Sequence, residues 1–185
     1  YSTLSTSRHS LRFLKKHAGH WLTALRPVQN DMGGMCLYYS ALQYLNGSAE
    51  GAELLRLQCA VYLVLNKDEL LDHCLKQRWK GSICNNYNQY LLDTLYRKDF
   101  GDLMSMEVIS RVLNIRIRSV MIECDNVVPS SLVENNDIFG SSVQNPRSTV
   151  TILWTSTFDL DDELFDWNHF EALVPRINSE GVNYS

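Results

Sequence analysis

Two residues far apart in the chain carry side chains suited to nucleophilic catalysis, Cys36 and His169. Cys36 follows the loop Asn30 to Met35, which contains Gly33-Gly34, and it opens a helical pattern carried by Leu37, Ala41, Leu42 and Leu45. A helix start offers N–H groups without intrahelical partners and a partial positive charge. Both favour the thiolate, the nucleophilic form of cysteine. The same N–H groups can hold the oxyanion of an acyl-transfer intermediate, and glycines let backbone amides approach a substrate closely. The competing reading is a small buried hydrophobe, the usual state of a free cysteine. His169 stands before the apolar run Phe170-Glu171-Ala172-Leu173-Val174, which reads as a strand. Glu171, two residues on, leaves that strand on the same face as His169. A carboxylate there can hold an imidazole in one tautomer and stabilise its protonated form. The competing reading is a surface histidine beside acidic residues.

The elements that must position this pair follow from periodicity. Helical spacing runs from Ser10 to Leu25 and stops at Pro27. Further helices are expected from Cys36 to Asn46-Gly47, from Glu50 to Leu65, from Lys67 to Lys76 and from Tyr87 to Tyr96. Asp102 can cap a helix carrying Leu103, Met106, Ile109 and Leu113, and Asn114 can end it. Ile115 to Ile122 then alternates as a strand, Asp125 to Arg147 is a long polar connection, and Thr149 to Trp154 is a second strand. Phe158 to Asp166 is an acidic loop ahead of the strand at Phe170 to Val174. Helices first and strands later imply an α+β (α/β-like) fold, a small mixed β-sheet packed between helices.

Bulk properties narrow the function. A chain of 185 residues suits one domain with a small extension and can bury a core without staples. The net charge is −4 and mixed along the chain, which argues against nucleic acid as the main partner. The longest apolar run, Ala60 to Leu65, is about a third of a membrane span, so none is expected. Five cysteines, an odd number without C-x-x-C spacing, argue against a disulfide framework or a four-ligand zinc site and for a reducing compartment. Cys59, Cys74, Cys84 and Cys124 read as structural. His9, His17 and His20 read as a solvated helix face rather than a metal site. No metal and no cofactor are expected. The chain opens on Tyr1, which reads as the edge of a domain cut from a longer protein.

Three blocks then carry a family resemblance. Gly33-Gly34-Met35-Cys36-Leu37-Tyr38-Tyr39-Ser40-Ala41-Leu42 resembles the nucleophile segment of OTU (ovarian tumour) cysteine proteases, D-G-x-C-[LF]-[FY] running into a helix. His169-Phe170-Glu171-Ala172-Leu173 resembles the family's histidine strand. Phe100-Gly101-Asp102 with the helix after it, then Leu113-Asn114-Ile115-Arg116-Ile117, is similar to its middle block. The blocks stand in family order, cover residues 30 to 175, and are closer to viral and bacterial members than to the longer animal enzymes. The resemblance implies a papain-like fold of OTU type over residues 30–178, with an N-terminal helical extension (1–29) and a C-terminal tail (179–185). It implies a deubiquitinase that cleaves after the C-terminal Gly-Gly of ubiquitin, polyubiquitin or a ubiquitin-like protein. It assigns Cys36 as nucleophile, His169 as base and Glu171 as third member. Gly33, Gly34 and Met35 would form the oxyanion loop, and Phe100 and Gly101 would lie near the channel for the ubiquitin tail. Trp167, next to Asn168-His169, reads equally as a wall of that substrate channel or as core packing. The acidic stretch Asp159 to Asp166 reads as a solvated loop or, alternatively, as a rim complementary to the basic surface of ubiquitin. A monomer is expected, working in the cytoplasm, or in the host cytosol for a pathogen's protein.

The sequence departs from the pattern twice. Gly33 stands where the family usually has an acid, with Asp31 close by as an alternative acid. Glu171 stands where many relatives have Asp or Asn, and its extra methylene changes its reach by about 1.5 Å. Three hypotheses follow: an active deubiquitinase, a weak or inactive ubiquitin-binding module of the same fold, and an unrelated helix-and-sheet interaction domain.

Overall fold

The computed structural model describes residues 4–31, 33–77, 86–96, 101–122, 137–140, 142–156 and 167–176. Phe100, Cys84, Cys124, the acidic stretch at 159–166 and the tail at 179–185 lie outside these.

Helix α1 spans Arg8–His17. The buried Ser7 caps it, its side chain accepting from the Ser10 N–H at 3.3 Å, and Lys15, Lys16 and His17 sit in the last turn where the helix dipole favours cations. The expected helix to Leu25 is corrected here. It breaks at Ala18, gives a short 3₁₀ turn at Gly19–Thr23, and becomes strand β1 at Leu25–Val28. The reason is tertiary. Leu25 to Val28 pairs antiparallel with Pro175 to Ala172, and that ladder outweighs the local helical spacing. Pro27 is tolerated because β1 ends the sheet. Residues read from the sequence as an extension therefore contribute a strand to the main sheet.

Helices α2 (Cys36–Asn46), α3 (Ala52–Leu65), α4 (Lys67–Gln77), α5 (Tyr87–Tyr96) and α6 (Leu103–Leu113) follow. Helix α6 begins as its sequence suggests, with the Asp102 carboxylate accepting from the Ser105 N–H at 2.8 Å. It ends at Asn114 with φ of 54°, in the left-handed region that asparagine tolerates. Strands β2 (Arg116–Val120), β3 (Ile138–Phe139), β4 (Thr149–Thr155) and β5 (His169–Pro175) complete a five-stranded mixed sheet in the order β1-β5-β4-β2-β3. Only β2 and β4 run parallel. The two-residue β3 was not anticipated.

The sheet carries a core on each face. Phe13, Leu14, Ala18 and Leu22 cover one face against Val120, Leu153 and Leu173. Helices α2 to α6 cover the other against Ile117, Val150, Ile152, Trp154 and Phe170. Trp154 and Phe170 meet edge to face at 4.4 Å between ring centres. Alternation along β5 thus sends Phe170 toward α2 and places His169, Glu171 and Leu173 on the opposite side. The α+β, mixed-sheet architecture matches the expectation from the sequence.

Gly140 closes the turn after β3 at φ of 76°, and its N–H donates to the buried Glu107 carboxylate at 2.8 Å. A Cβ there would stand 2.7 Å from the Ile115 carbonyl oxygen and from Ser110 Cβ. Gly140→Ala is expected to cost about 1–3 kcal/mol of stability, read as a lower urea midpoint at unchanged slope.

Candidate active site

Cys36 is the first residue of α2, fully buried at the end of the sheet. Gly33 turns the chain into this helix. Its φ is 122°, a conformation an L side chain rarely adopts, and no atom stands near where its Cβ would lie. That conformation gives a physical reason for glycine here in place of the acid common in the resembling pattern. The Gly33 carbonyl accepts the Cys36 N–H at 3.1 Å. The first amide of the helix is therefore engaged within its own loop and is not free as the sequence reading expected. Gly34 is half-buried and Met35 buried in the same turn.

His169 is the first residue of β5, opposite Thr155 of β4, and it is buried. Its ring interacts with both the Cys36 thiol and the Glu171 carboxylate. His169 Nε2 lies 3.7 Å from Glu171 Oε1, an ion-pair distance longer than a formed hydrogen bond. Burial pushes the histidine pKa down, but contact with Cys36 and Glu171 outweighs it and lifts the value to about 9. The sequence-expected trio of Cys36, His169 and Glu171 is therefore brought together. Asp31, the alternative acid, is exposed, whereas Glu171 is buried beside the imidazole. Glu171 Oε2 is buried and takes no hydrogen bond from the described residues.

Two further expected residues stand beside the trio. Gly101 packs against the nucleophile helix, where a Cβ would meet Leu37 Cδ2 at 2.5 Å and Leu37 Cβ at 2.9 Å. Its small size lets the start of α6 close on the residue after Cys36. Asp102 next to it is half-buried, accepts from Tyr90 Oη at 2.8 Å, and has its pKa raised by desolvation. Trp167 is half-buried just before His169 and packs edge to face on Phe13 of α1, at 5.7 Å. Phe100 lies outside the described residues.

The other cysteines differ from Cys36. Cys59 and Cys74 are buried among core residues, and burial pushes the Cys59 thiol up to about 12. Among the described residues no group of three or more His, Cys, Asp or Glu side chains is arranged to hold a metal ion, and no helix is long and apolar enough to cross a membrane. Sequence reasoning missed Asn30 and Ser40. Their side chains bond backbone oxygens of Cys36 and Phe170, and only the position of Asn30 six residues before Cys36 pointed that way.

Solved structures share the backbone architecture that carries these residues. The chain is similar to the viral OTU domain protease from Taggert virus, at 16% identity over 85% of this chain and 83% of that one, with a TM-score of 0.55. It is similar to the OTU domain of OTUD1, at 13% identity over 89% and 93%, with a TM-score of 0.54. The chain has the OTU fold. The viral OTU domain protease from Dera Ghazi Khan virus gives the same result, at 16% identity over 85% of each chain and a TM-score of 0.53. No family model and no curated protein matches the sequence. At such identities the OTU likeness is one of backbone architecture, and the chemistry must be argued from the side chains above.

The raised histidine makes a stability prediction. A group whose folded pKa exceeds its unfolded value stabilises the fold fully below the unfolded pKa, about 6.5 for histidine. That contribution disappears as pH rises through about 9. Unfolding free energy is therefore expected to fall between pH 6.5 and 9. In Glu171→Gln the His169 ring, followed by NMR, is expected to titrate closer to 6.5, and the pH slope to flatten. An unchanged midpoint would show that Glu171 does not hold the imidazole.

Proposed function

We propose that the chain is a cysteine-dependent deubiquitinase, hydrolysing peptide or isopeptide bonds after the C-terminal Gly-Gly of ubiquitin or a ubiquitin-like protein. The observation that carries this reading is the contact of the Cys36 thiol with the His169 ring across the α2–β5 junction. It is supported by the OTU fold, shared with proteins named as viral OTU domain proteases.

In this reading His169, protonated near neutral pH because its pKa is lifted to about 9, already holds the proton of Cys36, and Cys36 Sγ attacks the carbonyl carbon of the scissile bond as the thiolate. The electron pair moves to the carbonyl oxygen. His169 returns the proton to the leaving amine as the C–N bond breaks, leaving a thioester on Cys36. Water, deprotonated by His169, then releases the carboxylate. Glu171 keeps the imidazole oriented and stabilises its charged form. The oxyanion needs N–H donors from residues 34–36, so the Cys36 amide must exchange the Gly33 carbonyl for the substrate.

That last requirement favours one second reading. A loop that keeps the Cys36 N–H on Gly33 O would leave a weak enzyme, or an OTU-fold module that binds ubiquitin without cleaving it. A ubiquitin carrying a C-terminal electrophile separates the two. The active enzyme is expected to gain one ubiquitin mass on Cys36, and Cys36→Ala none. Binding of ubiquitin by titration, with no adduct on the wild type, would favour the module.

A further inference from the structure

Strand β1 stops pairing with β5 at Val28, opposite Ala172. Continuing that register by two residues sets Asn30 opposite Phe170, the residue after His169. There the Asn30 side chain does what a strand backbone would otherwise do. Its Nδ2 lies 3.0 Å from Phe170 O, 3.2 Å from Cys36 O and 2.8 Å from Ser40 Oγ. Ser40 Oγ, one turn along α2 from Cys36, donates to the same Phe170 O at 3.0 Å. Gln43, a further turn along, donates from Nε2 to Gln29 O at 3.1 Å, so the segment leading to Asn30 is itself fastened to α2. The Asn30 Oδ1 is buried and takes no hydrogen bond from the described residues. The amide therefore acts by donation alone.

These acceptors are not arbitrary. One is the carbonyl of Cys36 itself, and the other belongs to the residue bonded to His169. Cys36 and His169 come from different elements, one on a helix and one at a strand end, and the nearest strand pair of β1 with β5 has already ended. Something other than the sheet ladder must hold their separation. We propose that Asn30, assisted by Ser40, is a positioning residue that sets the distance between Cys36 and His169 by bonding a backbone oxygen that moves with each. The proposal rests on the reading of Cys36 and His169 as the reacting pair, and its test is chosen to be separable from that reading.

The test compares wild type, Asn30→Ala, Ser40→Ala and Asn30→His, which keeps a ring N–H donor near the same place. Two readouts are taken on each: steady-state cleavage of a ubiquitin C-terminal fluorogenic amide, and the NMR titration of the His169 ring, which needs no substrate. Asn30→Ala is expected to lower kcat by about 10- to 100-fold, because small misplacements of reacting groups carry such losses, with KM changed less than two-fold. Its His169 midpoint is expected to move from about 9 toward 6.5. Asn30→His is expected to recover most of both. Ser40→Ala is expected to move both readouts the same way by less, and it carries the comparison if Asn30→Ala does not fold. A wild-type kcat and an unmoved His169 midpoint in a less stable Asn30→Ala would overturn the proposal, leaving a structural tie only. Should the wild type show no turnover, the proposed function fails, and the His169 midpoint still decides the role of Asn30.

Discussion

Everything at the candidate site depends on one junction, the N-terminus of α2 laid against the first residue of β5. His169 and Glu171 are both buried there. A buried imidazole and a buried carboxylate are each costly alone. They are tolerated because each lies within ion-pair reach of the other, and because the imidazole also interacts with the thiol of Cys36. Removing one member leaves an uncompensated buried group, which is why this cluster is sensitive to single changes in a way a surface pair is not.

The surrounding elements make sense as supports for that junction. The Trp154 and Phe170 rings pack beneath it on the α2 side, and Phe13 and Trp167 pack against each other on the α1 side. Gly33 supplies the left-handed turn that starts the helix at Cys36. Gly101 supplies the absent side chain that lets α6 close against Leu37. The Asn30 and Ser40 bonds tie the helix to the strand where strand pairing stops.

Much of this was legible in the sequence where the causes are local. Asp102 and Asn114 bracket α6 because a capping carboxylate and a left-handed asparagine are properties of single residues. The span of α5 follows from its own apolar spacing. Cys36, His169 and Glu171 were singled out by a helix start and a two-residue strand step, and more by the resemblance of the three ordered blocks to OTU proteases, and the fold brings them together. What was not legible is nonlocal. Leu25 to Val28 carries a proline and a helical neighbourhood, and it becomes a strand only because β5 is there to pair with it. Asn30 reads as an ordinary loop residue until the register of β1 against β5 is known. The engagement of the Cys36 amide by Gly33 likewise depends on the loop's actual path.

The central claim is that Cys36 and His169 act as one chemical unit on the ubiquitin C-terminus. Its most direct test is product formation from unlabelled Lys-linked di-ubiquitin, followed by intact mass, with wild type, Cys36→Ala and His169→Ala at equal concentration. The account predicts mono-ubiquitin from the wild type and a loss of about 10³-fold or more in each variant, since members of such a unit fail together. Cleavage that survives Cys36→Ala, or a wild type that leaves every linkage intact, would contradict it.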